Sequence, residues 1–144
     1  MEFTHNPIFV FGSNLRGNHG LGAARDAIMY WGAKMWQGVG LQGDSYALPT
    51  KDRYLKPLPL TVVQDNIRAF LEETAAKMPQ TPFLVTRIGC GYAGFKDQQI
   101  APLFQSAPDN CFFDPAWLPW GLKRWDLSPN DLIMARRNGQ QSIF

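Results

Sequence analysis

The sequence predicts an α/β protein built on a mostly parallel sheet, and three observations predict it. A short, almost wholly apolar run of the kind buried on both faces of a sheet occurs at residues 7–12 (PIFVFG), and residues 83–88 (FLVTRI) read as another buried strand. Segments with helical spacing of apolar residues stand between and after them. The turns leading out of both runs are rich in glycine, at residues 12–22 and 89–94. A repeated β-α-β order closes into a parallel sheet through right-handed crossovers.

Taken in order, the first strand closes at Gly12 and a polar turn follows. From Leu21 the residues Ala23, Ala24, Ala27, Ile28 and Trp31 favour a helix, with Gly32 as its stop. Residues 37–43 (QGVGLQG) carry too much glycine for regular structure. A second strand is expected at residues 45–48, ended by Pro49. Beyond a proline-marked loop, Val63, Ile67, Phe70, Leu71, Thr74, Ala75 and Met78 fall on one helical face, from near Thr61 to just before Pro79. The strand at 83–88 leads through a glycine loop to a short helix at 98–105 and a last strand at 111–113. From Pro115 the chain turns aromatic, with Trp117, Trp120 and Trp125, before a helix start at Ser128-Pro129. The 144 residues suit one domain, 1–144, in which residues 115–144 form an aromatic C-terminal extension packed on the rest.

Composition excludes several functions. Hydrophobic residues make up 45% and charged residues 18%, where about 25% charged is usual, so the chain is no disordered or heavily solvated protein. Lys and Arg (14) nearly balance Asp and Glu (12), and the formal charge of +2 is too weak for nucleic acid or an anionic membrane to be an electrostatic partner. Any anion must be held by local geometry. Cys90 and Cys111 make neither a disulfide framework nor a metal-binding pair, and His5 and His19 are the only histidines. No metal and no cofactor are expected. The first residues, MEFTHNPIFVFGSN, have no basic leader and only a short apolar run, so secretion and membrane spanning are disfavoured and the cytoplasm is the expected compartment.

In an open α/β sheet, ligands bind outside the carboxyl ends of the strands. Residues 12–22, 49–53 and 89–97 are expected there. Each glycine loop taken alone reads as an ordinary tight turn. Together they point to a phosphate cradle, because glycine admits positive φ and lets backbone N–H groups approach an anion. Neither loop is GxGxxG with an acidic residue further on, nor GxxxxGK[ST], which sets aside a dinucleotide Rossmann domain and a P-loop ATPase.

Phe11-Gly12-Ser13-Asn14-Leu15 followed by Gly20-Leu21-Gly22-Ala23-Ala24 resembles the macrodomain loop in which a strand ends in Asn and glycines open the next helix. Ser45-Tyr46-Ala47-Leu48-Pro49-Thr50-Lys51 and, after a long helix, Arg87-Ile88-Gly89-Cys90-Gly91-Tyr92-Ala93-Gly94-Phe95 are similar to one macrodomain branch. That branch includes terminal ADP-ribose glycohydrolases, yeast-type ADP-ribose-1''-phosphate phosphatases and DNA de-ADP-ribosylating antitoxins. The resemblance covers roughly residues 7–113. It implies a three-layer α/β/α fold with a mostly parallel mixed sheet and a cleft for ADP-ribose, free or carried on a macromolecule. Asn14 would then bond the distal ribose, Gly20, Leu21, Gly22 and Ala23 would line the ribose and diphosphate, and the amides of Cys90, Gly91, Tyr92, Ala93, Gly94 and Phe95 would wrap the diphosphate. Gly12, Ser13 and Gly89 complete the implied cleft.

Lys51 stands where the glycohydrolase branch keeps a lysine that attacks the anomeric carbon. A free amine can form a covalent adduct with a sugar aldehyde; the other readings of Lys51 are a phosphate counter-ion or a solvated surface lysine. The general acid or base implied by the branch falls at Asp97, displaced by about one position in Ala93-Gly94-Phe95-Lys96-Asp97, where a helix cap is the competing role. His19 lies inside the ligand loop, yet with no carboxylate or Ser partner in sequence reach it reads first as a hydrogen-bonded loop residue. Three functions stay open: an ADP-ribosyl hydrolase, a non-catalytic nucleotide binder, and a structural or partner-binding module.

Overall fold

Strand β1 (Ile8–Asn14) is the centre of the sheet, and its alternation explains the layers on either side. Ile8 and Val10 belong to one core and Phe9 and Phe11 to the other, so each face of the strand carries its own apolar set. The computed structural model describes residues 3–125, and the expected helix start at Ser128-Pro129 lies outside them. Five strands run in the order β2-β3-β1-β4-β5, with β2 (Gly40–Gln42), β3 (Ser45–Lys51), β4 (Phe83–Val85) and β5 (Cys111–Phe113). The pairs β1–β3, β1–β4 and β4–β5 are parallel, and β2 is antiparallel to β3.

Helix α1 (Gly22–Tyr30) covers one face through Ala24 and Ala27, and Trp31 just beyond it stacks on Phe9 at 5.0 Å between ring centroids. The opposite face is covered by α2 (Leu60–Ala69) and α3 (Asp97–Ile100) with their continuations, which supply Val63, Ile67, Phe70, Leu71, Ile100 and Phe104. The fold is therefore a mixed α/β architecture on a mostly parallel sheet, with helices on both faces. Among the described residues no helix is long and apolar enough to cross a membrane.

Several elements depart from the sequence expectation for identifiable reasons. The strand expected to stop at Pro49 continues to Lys51. Strand β2 pairs only with residues 45–47 of β3, so at Pro49 that edge asks for no N–H and the missing donor costs nothing. The segment at 37–43, expected to be irregular, contains β2. Gln42 organises it: its side-chain amide donates to the Gln37 and Gly40 carbonyls and accepts from the Lys34 N–H, while Ser45 Oγ donates to the Gln42 carbonyl. Strand β4 is shorter than the apolar run, because after Val85 the N–H and the hydroxyl of Thr86 both turn to the Val10 carbonyl. The long helix expected to Pro79 is one helical path, but it widens into a π turn at Phe70–Thr74 and tightens into a 3₁₀ turn at Ala75–Lys77.

The described part of the aromatic extension is tied to the body. Trp117, in the turn Pro115–Trp120, is buried in the α2-side core, and Trp125 is buried in the α1-side core. The two tryptophans thus flank the β5 edge, where Lys123 and Trp125 bond the backbone of Phe113.

Candidate functional site

The parallel strands give the site its place. From β1 the chain crosses to β3 on one side, and from β3 it crosses back to β4 on the other. The connections leaving β1 and β4 therefore run in opposite directions and open a crevice at the carboxyl ends of the two strands. A cleft of about 400 Å³ lies there, and residues from all three strand-end loops line it.

Its first wall is the loop between β1 and α1. Asn14, at the end of β1, uses both ends of its amide on one residue: Nδ2 donates to the Asn18 carbonyl at 2.9 Å and Oδ1 accepts the Asn18 N–H at 3.0 Å. Behind the loop lies the segment at 35–38. Ser13 Oγ donates to the Gly38 carbonyl at 2.5 Å, and the Trp36 N–H donates to the Gly17 carbonyl at 2.7 Å. His19 Nε2 donates to the Gln37 carbonyl at 2.7 Å, which fixes the tautomer, and its ring stands edge-on to Phe11. His19 is only 1% exposed and sits behind the wall rather than in the cleft.

At the end of this loop α1 begins without a side-chain cap and without an acidic residue in its first turn. The first amide to bond back is that of Arg25, to the Leu21 carbonyl. The N–H groups of Gly22, Ala23 and Ala24 have no acceptor among the described residues. Ala23 and Ala24 line the cleft with Gly20 and Leu21, at the electropositive end of the helix, whereas Gly22, expected among the ligand contacts, lies outside the lining, where the Tyr92 ring packs on it.

The second wall is the loop after β4. Gly89 turns the chain at φ +75 and brings the loop over Gly12 on β1, where a Cβ would make ordinary contact with the Gly89 nitrogen at 3.4 Å. Turn bonds run from Cys90 to Arg87, from Gly94 to Gly91 and from Phe95 to Gly89. They leave the amides of Gly91, Tyr92 and Ala93 without an acceptor among the described residues, and all three residues line the cleft. Gly94 (φ +81) and Phe95 shape this loop from outside the lining.

Strand β3 closes the third side. Lys51 is in register with Asn14, and Thr50 Oγ1 bonds the Ser13 carbonyl at 3.3 Å across a register shift between the strands. The Lys51 ammonium lies 5.7 Å from the centroid of the Tyr92 ring. No carboxylate among the described residues lies within ion-pair distance of Lys51. The Tyr92 ring also reaches Gly22, where a Cβ would be 3.1 Å from it. Tyr92 thus bridges the mouth of the cleft from α1 to β3.

Asp97 is the first residue of α3 and is not its cap; the Gln99 side chain accepts the Lys96 N–H there instead. Both Asp97 oxygens accept from Arg87, at 3.0 Å from Nε and 2.7 Å from Nη2, and Trp117 Nε1 donates to Oδ1 at 2.7 Å. The Arg87 hydrogen bonds, aided by Trp117, hold the Asp97 carboxyl below its ordinary value. Asp97 is outside the cleft lining, whereas Arg87 is part of it. The Cys90 thiol, on the cleft wall, is pushed up to about 12, chiefly by burial and further by the Asp97 charge, so it stands as a neutral thiol.

Sequence reasoning did not single out Asn18, Ala24, Thr50, Leu55, Thr86 and Arg87 as cleft residues. Arg87 carried a readable signal, since it ends an apolar run at the carboxyl edge of the sheet. Among the described residues the charged side chains lining the cleft are Lys51 and Arg87, both positive, and the carboxylate paired with Arg87 lies outside the lining. Among the described residues no group of three or more His, Cys, Asp or Glu could hold a metal ion. Chemically, the arrangement offers anions two runs of backbone donors and two cations. Compared with protein-family models, with curated proteins and with solved structures, the chain matches none.

Proposed function

We propose that this chain is a macrodomain-like protein that binds ADP-ribose, free or attached to a macromolecule, in the cleft between β1 and β4. One observation carries the reading: unpaired amides of Ala23 and Ala24 and of residues 91–93 belong to opposite walls of a single cleft. Hydrogen bonds from such amides to a charged acceptor contribute about 1.5–3 kcal/mol each, roughly twice what a neutral acceptor gives. A diphosphate is the part of ADP-ribose that supplies such acceptors on two sides. Helices on both faces of a mostly parallel sheet and a cleft at the strand ends also suit the macrodomain resemblance. Cys90 and Cys111 are both free thiols, which suits the cytoplasm.

Binding is favoured over hydrolysis because among the described residues no carboxylate lines the cleft and Asp97 is committed to Arg87 and Trp117. The second reading, an ADP-ribosyl hydrolase, rests on Lys51, which lines the cleft without a carboxylate partner among the described residues.

Calorimetric titration with ADP-ribose, AMP and NAD tests the proposal. ADP-ribose should bind at least tenfold more tightly than AMP, which lacks the second phosphate. A Gly91→Val protein should stay folded, since a Cβ at Gly91 meets nothing within 4 Å, yet lose most of this affinity because the side chain would occupy the cleft. Absence of ADP-ribose binding, or equal affinity in a folded Gly91→Val protein, would overturn it.

A further inference from the structure

The cleft carries a second cation that the family resemblance does not call on, and its surroundings fix how it is used. Arg87 spends Nε and one hydrogen of Nη2 on the two oxygens of Asp97, a side-on pairing that locks the plane of the guanidinium. Asp97 is itself held by the Trp117 indole, whose ring is fully buried in the core. Arg87 nevertheless remains 46% exposed along its side chain and lines the cleft, and its Nη1 has no acceptor among the described residues. Lys51 lines the cleft from the β3 side.

We infer that Arg87 is a specificity-determining residue, which selects a diphosphate over a monophosphate, and that Asp97 is the positioning residue that aims it. The inference rests on the proposed ADP-ribose cleft and names the group within the ligand that is read there. Lys51 on β3 and Arg87 in the loop that leaves β4 place two positive charges in one cleft, beside unpaired amides on both walls, and together they favour a ligand that carries more than one anionic group. Asp97 acts through Arg87 and touches no ligand. Without the carboxylate the guanidinium keeps its charge but loses its fixed plane, so ordering it must be done anew when ligand binds.

Titrating the full chain with inorganic pyrophosphate, inorganic phosphate, ADP-ribose and AMP separates the possibilities. The wild-type protein should prefer pyrophosphate to phosphate, and ADP-ribose to AMP, by at least tenfold. Arg87→Ala should weaken both diphosphates by tenfold or more and the monophosphates by less than threefold, collapsing the preference. Arg87→Lys should restore less than half of the loss on a logarithmic scale, since an ammonium cannot pair side-on with Asp97. Asp97→Asn should shift the preference in the same direction by a smaller factor, and should add nothing further in an Arg87→Ala background. Trp117→Phe gives an independent, weaker perturbation of the same carboxylate. An unchanged diphosphate preference in Arg87→Ala, or an Asp97→Asn effect that persists in full without Arg87, would overturn the inference. Selective pyrophosphate binding without ADP-ribose binding would end the nucleotide reading while supporting Arg87. ADP-ribose binding indifferent to Arg87 would do the reverse.

Discussion

The wall that follows β1 is stitched by side chains to a distant segment, whereas the wall that follows β4 is folded on itself and anchored by one ion pair. Ser13, His19 and Gly17 all bond residues 36–38, and Asn14 closes the loop from within. Across the cleft, three backbone turn bonds and the Arg87–Asp97 pair carry residues 87–97. The same kind of surface, a run of unpaired amides, is thus presented by two constructions. The first depends on close packing between buried groups. The second depends on glycine turns and a partly exposed charge pair.

This difference orders the expected effects of substitution. Gly38→Ala should be the most damaging, because its Cβ would fall 2.2 Å from the Asn14 carbonyl oxygen, a backbone atom that cannot step aside. We expect a loss of about 3 kcal/mol, read by urea unfolding, together with loss of ADP-ribose affinity; a protein as stable as wild type would show that the 35–38 segment does not brace the wall. Gly94→Ala on the other wall meets no neighbour within 4 Å but must hold φ +81, so about 1 kcal/mol is expected from backbone strain alone.

Asp97 tests the ion pair through pH. Its folded carboxyl is held below the ordinary 3.8, so its contribution is present above that value and is lost as pH falls through the lower folded one. Because Arg87 is half in water, the contribution should be under about 1 kcal/mol. Unfolding curves from pH 6 to pH 2 should show a slope below about pH 4 that Asp97→Asn reduces; identical slopes would remove the pair as an anchor.

Lys51 belongs to neither wall, and Lys51→Ala should change stability by less than about 0.5 kcal/mol. Its effect on ligand separates the two functional readings. A counter-ion should show weakened ADP-ribose binding, by about 1.5–3 kcal/mol, that shrinks in high salt. A nucleophile should show abolished turnover with ground-state affinity kept within about 1 kcal/mol.

The difference between the walls also marks what could be read from the sequence. The buried strands, α1 and the α2 path were legible because apolar periodicity records burial directly, and the strand-end rule placed the glycine loops together. Pro49 misled because its cost depends on whether a neighbouring strand reaches it, which is a matter of sheet topology. Residues 37–43 misled for a related reason: glycine there records the close approach of Gly38 to Asn14, and composition alone cannot distinguish close packing from irregular chain. The pairing of Asp97 with Arg87 and Trp117 was hidden because it joins three elements that meet only in the fold. Such a carboxylate looks the same in sequence whether it serves a reaction, a helix cap or an arginine.

The central claim is that one ligand engages unpaired amides on both walls at once. Backbone amide resonances followed during an ADP-ribose titration test it most directly, because they report each wall separately in the intact protein. The amides of Ala23 and Ala24 should shift together with those of Gly91, Tyr92 and Ala93, along curves that give one shared dissociation constant. Shifts confined to a single wall, or two walls saturating at different concentrations, would contradict the account.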